Sequence, residues 1–191
     1  RKHKLEKSNA KKYNVAIVGA TGAVGAQLLK VLAERQFPVG NLILLASARS
    51  EGKTIDWQGQ TYTVHEARPK AFEGVDIVLF AGGNISKTLA PEAVKRGAVC
   101  IDNSSTFRYD PEVPLVVPEV NPEDVRWHKG IIANPNCSTI QMVVALKPIY
   151  DNFGLKRVVV ATYQAVSGAG KEGLDELEAQ IQDVAAGRKP Q

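Results

Sequence analysis

Short apolar runs alternate with amphipathic stretches along the first two thirds of the chain. Asn14 to Val18 reads as a buried strand, and beyond a glycine turn Val24, Leu28, Val31 and Leu32 recur at the spacing that lines one helix face. A Phe37, Pro38, Val39, Gly40 turn ends that helix and leads into a second apolar run, Leu42 to Ala46. Val75 to Phe80 and Val99 to Asp102 read as further strands, with a helical pattern over Ala90 to Arg96 between them. Buried strands alternating with amphipathic helices predict an α/β fold with a parallel, doubly wound sheet.

Two departures interrupt this rhythm. Ile55 and Trp57, then Tyr62 and Val64, flank Gln58, Gly59 and Gln60 and predict a small hairpin between Thr54 and Val64, a decoration on the wound sheet. Pro111 to Pro122 is rich in proline and predicts a loop across the carboxyl edge of the strands, with Leu115 to Val117 extended inside it. The domain boundary is placed near Pro135. Residues 13–135 then form the first domain, and 136–191 open a second with a helix over Thr139 to Ala145, a strand over Arg157 to Thr162 and a helix over Lys171 to Ala185. The last helix carries Leu174, Leu177, Ile181 and Val184 at helical spacing. One strand and one apolar stripe cannot close a sheet layer, so the second domain is expected to be incomplete in this chain.

Charge changes the picture only once it is located. The net charge of +4 suggests a nucleic-acid partner, but Arg1, Lys2, Lys4, Lys7, Lys11 and Lys12 against Glu6 put +5 into residues 1–12 and leave −1 for the rest. The basic segment reads as a flexible tail, and it lacks the apolar stretch of a secretory signal. The remainder offers no case for nucleic acid. No apolar run approaches the roughly 20 residues that span a bilayer, so no membrane partner and a cytoplasmic location are expected. Cys100 and Cys137 make neither a disulfide framework nor a metal-ligand set, which fits a reducing compartment and no metal. Cys100, inside Ala98 to Ile101, reads as a core residue.

Candidate chemistry gathers at the ends of the predicted strands. Gly19, Ala20, Thr21, Gly22, Ala23, Val24 and Gly25 follow a strand and open a helix, the setting of a dinucleotide-binding loop in a Rossmann-type domain. Glycines let the backbone approach a pyrophosphate, whose charge meets the helix N-terminus. The second strand ends in Ser47, Ala48, Arg49 and Ser50, where NAD-selecting enzymes place an acid; an arginine between two serines favours the 2′-phosphate of NADP instead. Gly82, in the run Ala81 to Asn84, would let the backbone approach the cofactor again. Asn103 and Arg108 belong to a polar cluster after another strand, and Arg108 suits either an anionic ligand or a structural ion pair.

Cys137 lies where the proline-stiffened run Asn134, Pro135, Asn136 meets a helical pattern. A thiol on the first turn of a helix faces unpaired N–H groups and the positive end of the helix dipole, which favour its thiolate and can hold an oxyanion. A small buried apolar residue is the plain alternative. His3, His65 and His128 show no pairing with Cys137 in sequence. Gln164 ends the predicted strand of the second domain, where it could orient a polar substrate, and Ser167 with Gly168 could lie against a nicotinamide ring.

Taken in order, GATGAVG, the SARS turn, DNSSTFR, NPNCST and TYQAVSGAG resemble the aspartate-β-semialdehyde dehydrogenases, over residues 13–185. NPNCST and YQAVSGAG separate the chain from the N-acetyl-γ-glutamyl-phosphate reductases, which remain an alternative alongside a non-catalytic NADP-binding module. The resemblance implies NADPH-dependent reductive dephosphorylation of L-aspartyl-4-phosphate to aspartate semialdehyde, on the route to lysine, threonine, methionine and diaminopimelate. It assigns Cys137 as the acyl-thioester nucleophile, Asn136 and the Cys137 amide to oxyanion stabilisation and Gln164 to substrate orientation. Asn103 and Arg108 match the phosphate site, Thr21 to Val24 the pyrophosphate loop, Arg49 and Ser50 the 2′-phosphate site, and Ser167 and Gly168 the nicotinamide contact. It further implies an α+β catalytic and dimerisation domain, a homodimer or dimer of dimers, and a catalytic histidine, carboxylate-binding arginine and phosphate-binding lysine beyond Gln191. This stretch alone is expected to be weakly active or inactive.

Overall fold

A computed structural model describes residues 11–190. The expected tail over 1–12 therefore lies, apart from Lys11 and Lys12, outside the described residues, as does His3. Two compact units divide between Val144 and Ala145.

The first unit is built on seven strands: β1 (Tyr13–Val18), β2 (Val39–Ala46), β3 (Thr54–Trp57), β4 (Gln60–Glu66), β5 (Ile77–Phe80), β6 (Val99–Asp102) and β7 (Ile131–Ala133). They form one sheet in the order β3-β4-β2-β1-β5-β6-β7. Every pairing is parallel except β3 with β4. From the central β1 the chain winds outward on one side and returns to build the other, so strand order reverses between β1 and β5. In sheets of this kind ligands bind outside the carboxyl ends at that reversal.

Helices cover both faces because the strands are apolar on both. In β1, Ala16 and Val18 join Phe72, Val78, Phe80 and the α2 (Ser86–Lys95) residues Leu89, Ala90 and Ala93 on one face. Val15 and Ile17 join Leu42, Leu44, Val64 and Leu29 of α1 (Ala23–Glu34) on the other. Cys100 is fully buried in the first cluster, and burial, aided by nearby Asp102, pushes its thiol up to about 12.

Several expectations need correction. Val24 and Val31 are exposed, and α1 packs through Gly25, Leu28, Leu29 and Leu32. The contact face is centred on a glycine, which carries no hydrophobic signal. The hairpin is no decoration, since β4 pairs in parallel with β2, Leu44 opposite Val64, and so widens the main sheet. The cysteine helix is longer than expected: α3 runs over Cys137–Phe153 and passes the unit boundary.

In the second unit α4 occupies Lys171–Ala185, as its periodicity predicts. Arg157 to Thr162 forms no strand, and Val159 there is 83% exposed. A strand exists only through a neighbour's N–H and C=O groups, and the second unit supplies none among the described residues. Leu174, Leu177, Ile181 and Val184 of α4 are likewise exposed. Among the described residues no helix is long and apolar enough to cross a membrane, and no group of acidic, histidine and cysteine side chains could hold a metal ion.

Candidate active site

Parallel strands deliver their carboxyl ends to one edge, so the residues after β1, β2, β5, β6 and β7 share a rim. The glycine turn sits over the strand reversal. Gly19 has φ +88°, a left-handed conformation natural to glycine, and the Gly19 and Ala20 amides both donate to the Leu45 carbonyl, at 2.8 and 3.0 Å. A Cβ on Gly19 would lie 3.1 Å from the Cβ of Ala81 after β5, and one on Gly25 would lie 2.7 Å from Ala20 Cα. The turn is thus pressed against the adjoining strand end and against its own helix. Gly22 caps α1 without a side-chain hydrogen bond, and the first turn, with Ala23 and Val24, holds no acidic residue. Its positive end is left for an external anion.

The β2 end supplies the neighbouring wall. Ser47 to Ser50 close a 3₁₀ turn in which the Ser50 amide donates to the Ser47 carbonyl at 2.8 Å. Ser50 is buried, its hydroxyl 3.4 Å from that of Thr21, which brings this turn beside the glycine turn. Arg49 is exposed and, among the described residues, has no hydrogen-bond or ion-pair partner. Gly82 and Gly83, after β5, have φ of +133° and +80° with open space where side chains would be.

The β6 and β7 ends are stitched together. Arg108 donates from Nε to the Asn134 carbonyl (2.9 Å) and from Nη2 to the Asn103 carbonyl (3.2 Å), while Asn134 Nδ2 donates to Asn103 Oδ1 (2.8 Å). The guanidinium thus forms no ion pair among the described residues and fixes two loops through their backbone. Asn134, which sequence reasoning placed only in the turn before Cys137, links both; its Oδ1 is buried without a partner. Beneath them the buried Asp102 carboxylate accepts from the Ser104 amide (3.1 Å) and hydroxyl (2.7 Å), and the Ser104 hydroxyl contacts that of Ser86 at 2.9 Å.

Cys137 is the first residue of α3 and is exposed. The short strand β7, which the sequence reading missed, carries the chain to the rim: Asp102 pairs with Ala133, and the Asn134 amide donates to the Asp102 carbonyl at 3.2 Å. Asn136 then caps the helix. Its carbonyl accepts from the Ile140 amide (3.0 Å), and its Oδ1 accepts from the Ser138 amide (3.0 Å) and hydroxyl (2.6 Å). The Cys137 and Thr139 amides have no acceptor among the described residues. The exposed thiol thus stands beside two free N–H donors.

The two cysteines consequently differ in accessibility. Iodoacetamide on the folded protein is expected to add one carbamidomethyl group, at Cys137, and none at Cys100, as read by peptide mass spectrometry. Gln164, Ser167 and Gly168 lie in the second unit, all exposed. Ser167 and Gly168 form part of a 3₁₀ turn, Val166–Ala169, in which the Gly168 amide donates to the Ala165 carbonyl at 3.1 Å.

Known proteins share this fold. A family model for the NAD binding domain of semialdehyde dehydrogenase matches residues 14–128, and one for the dimerisation domain of that family matches 146–191. An aspartate-semialdehyde dehydrogenase of Aquifex aeolicus is 61% identical over 181 residues, 93% of this chain and 53% of the relative. A crystal structure of aspartate semialdehyde dehydrogenase II from Vibrio cholerae, complexed with ASA, superposes with a TM-score of 0.86 at 55% identity, covering 95% of this chain and 55% of that one. An aspartate semialdehyde dehydrogenase from Candida albicans, crystallised with NADP, gives 0.63 at 28% identity, covering 76% and 48%. The chain spans about half the length of the curated relatives it matches. With a wound sheet, a glycine turn at its reversal and a family model matched over 14–128, the chain belongs to the semialdehyde dehydrogenase family.

Proposed function

We propose that this chain is the NADP-binding domain (13–135) and the opening of the catalytic domain (136–191) of a cytoplasmic, homodimeric aspartate-semialdehyde dehydrogenase. The enzyme reduces L-aspartyl-4-phosphate to L-aspartate-4-semialdehyde with release of phosphate, in the biosynthesis of lysine, threonine, methionine and diaminopimelate. One observation carries the reading: an exposed thiol opens a 17-residue helix on the same sheet edge as the glycine turn. The relatives' names and the match to a dimerisation domain support substrate and assembly.

The residues present suit the cofactor. The acid-free start of α1, which has no side-chain cap, would hold the pyrophosphate, and Ser47, Arg49 and Ser50 the 2′-phosphate. Open backbone at Gly82 leaves room for the cofactor, and the family resemblance assigns Ser167 and Gly168 to the nicotinamide. Bound NADPH supplies the hydride that takes the acyl thioester to the aldehyde. The chain's own part comes first. Cys137, as its thiolate, attacks the acyl carbon, the bond from that carbon to the phosphate oxygen breaks, and phosphate leaves with the electron pair. Negative charge gathers on the carbonyl oxygen, to which the Cys137 amide and Asn136 Nδ2 would donate, Asn136 Oδ1 being the atom spent on the cap. Arg108 and Asn103 are assigned to the phosphate, and Gln164 to orienting the substrate.

NADPH consumption by the protein that carries this chain, with L-aspartyl phosphate against N-acetyl-γ-glutamyl phosphate, tests the reading; preference for the second substrate, or turnover of neither, overturns it. Arg49→Ala is expected to weaken NADPH about tenfold to a hundredfold, the worth of a charge-assisted hydrogen bond, and to leave NADH nearly unchanged. Titration with both cofactors checks this, and equal losses would remove the 2′-phosphate assignment.

A further inference from the structure

The turn that carries Arg49 also carries an acid that ought to silence it. Glu51 lies two residues from Arg49, at the end of the 3₁₀ turn. An acidic side chain in this region selects NAD in many dehydrogenases by binding the ribose hydroxyls, and the same charge repels a 2′-phosphate. An exposed guanidinium and a carboxylate so close in sequence would readily pair. They do not. Glu51 Oε1 lies 2.9 Å from His65 Nδ1, and Oε2 accepts from the Glu66 amide, both groups on β4. The neighbouring acid is occupied as well, since Glu66 Oε2 accepts from Arg68 Nε at 2.8 Å. The backbone reinforces the arrangement: the Gly52 amide donates to the Val64 carbonyl at 2.9 Å and the Val64 amide to the Lys53 carbonyl at 2.7 Å.

We infer that His65 and the β4 backbone hold Glu51 away from Arg49, so that Glu51 is a latent NAD-selecting acid and His65 a determinant of NADP preference. The inference rests on the cofactor reading above and deepens it. Both anchors favour the charged carboxylate, and they hold the Glu51 carboxyl below its ordinary range, the His65 hydrogen bond first and the Glu66 amide second. The acid therefore stays ionised while parked, and its release would bring a full negative charge to the 2′-phosphate turn. Widening of the sheet by the hairpin acquires a purpose here, because β4 is the strand that supplies both anchors.

The test uses the protein that carries this chain and compares dissociation constants for NADPH and NADH in wild type, His65→Ala, His65→Gln and the double variant His65→Ala with Glu51→Gln. His65→Ala is expected to weaken NADPH about twofold to fivefold, the scale of a surface charge pair, with NADH held or tightened. His65→Gln keeps a donor and is expected to match wild type. The double variant is expected to regain wild-type NADPH affinity, because the released acid is gone. An unchanged NADPH to NADH ratio in His65→Ala, or a double variant as impaired as the single one, overturns the inference while leaving cofactor binding intact. Wild type that binds neither cofactor, or shows no NADPH preference, overturns the cofactor reading and the inference with it.

Discussion

Cys137→Ser is expected to reduce turnover by roughly a thousandfold or more while NADPH binds as in wild type. The two halves of this expectation have separate grounds. A hydroxyl is scarcely ionised near neutral pH and has no adjacent base among the described residues of the first unit, so an oxygen in place of sulfur cannot displace phosphate at a useful rate. The fold, by contrast, owes the thiol little: Cys137 is exposed, and the one hydrogen bond of its sulfur among the described residues is a weak one to Asn136 Oδ1 at 3.9 Å. The cap on α3 depends on Asn136 and Ser138, which the substitution leaves alone. Cofactor contacts assigned to the glycine turn and to Arg49 come from other strand ends. Turnover and NADPH affinity measured on the same preparation decide the matter. Activity retained in the serine variant would exclude covalent catalysis here, and affinity lost with activity would point to a structural role for the sulfur.

The site was legible where chemistry and backbone signals coincide in sequence. Gly19 to Gly25 follows an unbroken apolar run and precedes an amphipathic one, so strand, turn and helix could be read together. Cys137 follows Pro135 and Asn136 and begins an apolar pattern, enough to place it at a helix start. Arg108 shows the opposite case. Its partners are the carbonyls of Asn103 and Asn134, and every residue has a carbonyl, so no choice of side chain advertises the contact. Asn134 is legible as part of the turn before Cys137 but not as the link that bonds Asn103 and receives Arg108, because both partners lie far off in sequence. The parked Glu51 required knowing that β4 lies beside β2, a pairing fixed by sheet order rather than by local pattern.

Fold errors have similarly physical causes. At three residues, β7 is too short to show alternation, yet its pairing with β6 brings Cys137 to the rim. The apolar run through Val158 to Val160 has the composition of a strand and no neighbour among the described residues, so composition predicted what only pairing can make. The apolar stripe of α4 was read correctly as a helix face and is exposed. On α1 the packing face is offset because Gly25 contributes close approach rather than apolar area.

That close approach gives the other large expected effect. Gly25→Ala is expected to cost about 2 kcal/mol of stability, several degrees of Tm, and to abolish measurable binding of NADPH and NADH alike. The obstacle is space, since no positive φ is recorded at Gly25. An added Cβ would stand 2.7 Å from Ala20 Cα and 2.8 Å from its carbonyl carbon, with the Gly19 carbonyl oxygen closer still. These atoms cannot retreat cheaply: Ala20 is buried in the core beside Ile17 and Leu29, and both the Gly19 and Ala20 amides are tied to the Leu45 carbonyl. Relief must come from α1 lifting off the turn, which displaces the free N–H groups assigned to the pyrophosphate. Gly22→Ala serves as the control, because a Cβ there meets only the Gly19 oxygen at an ordinary 3.5 Å and the cap residue sits at φ −89°. Thermal unfolding of the two variants is therefore expected to diverge, with Gly22→Ala near wild type. A Gly25→Ala protein that kept both its Tm and its cofactor affinity would show that the helix does not lie against the turn at this glycine, and the assigned pyrophosphate cradle would fall with it.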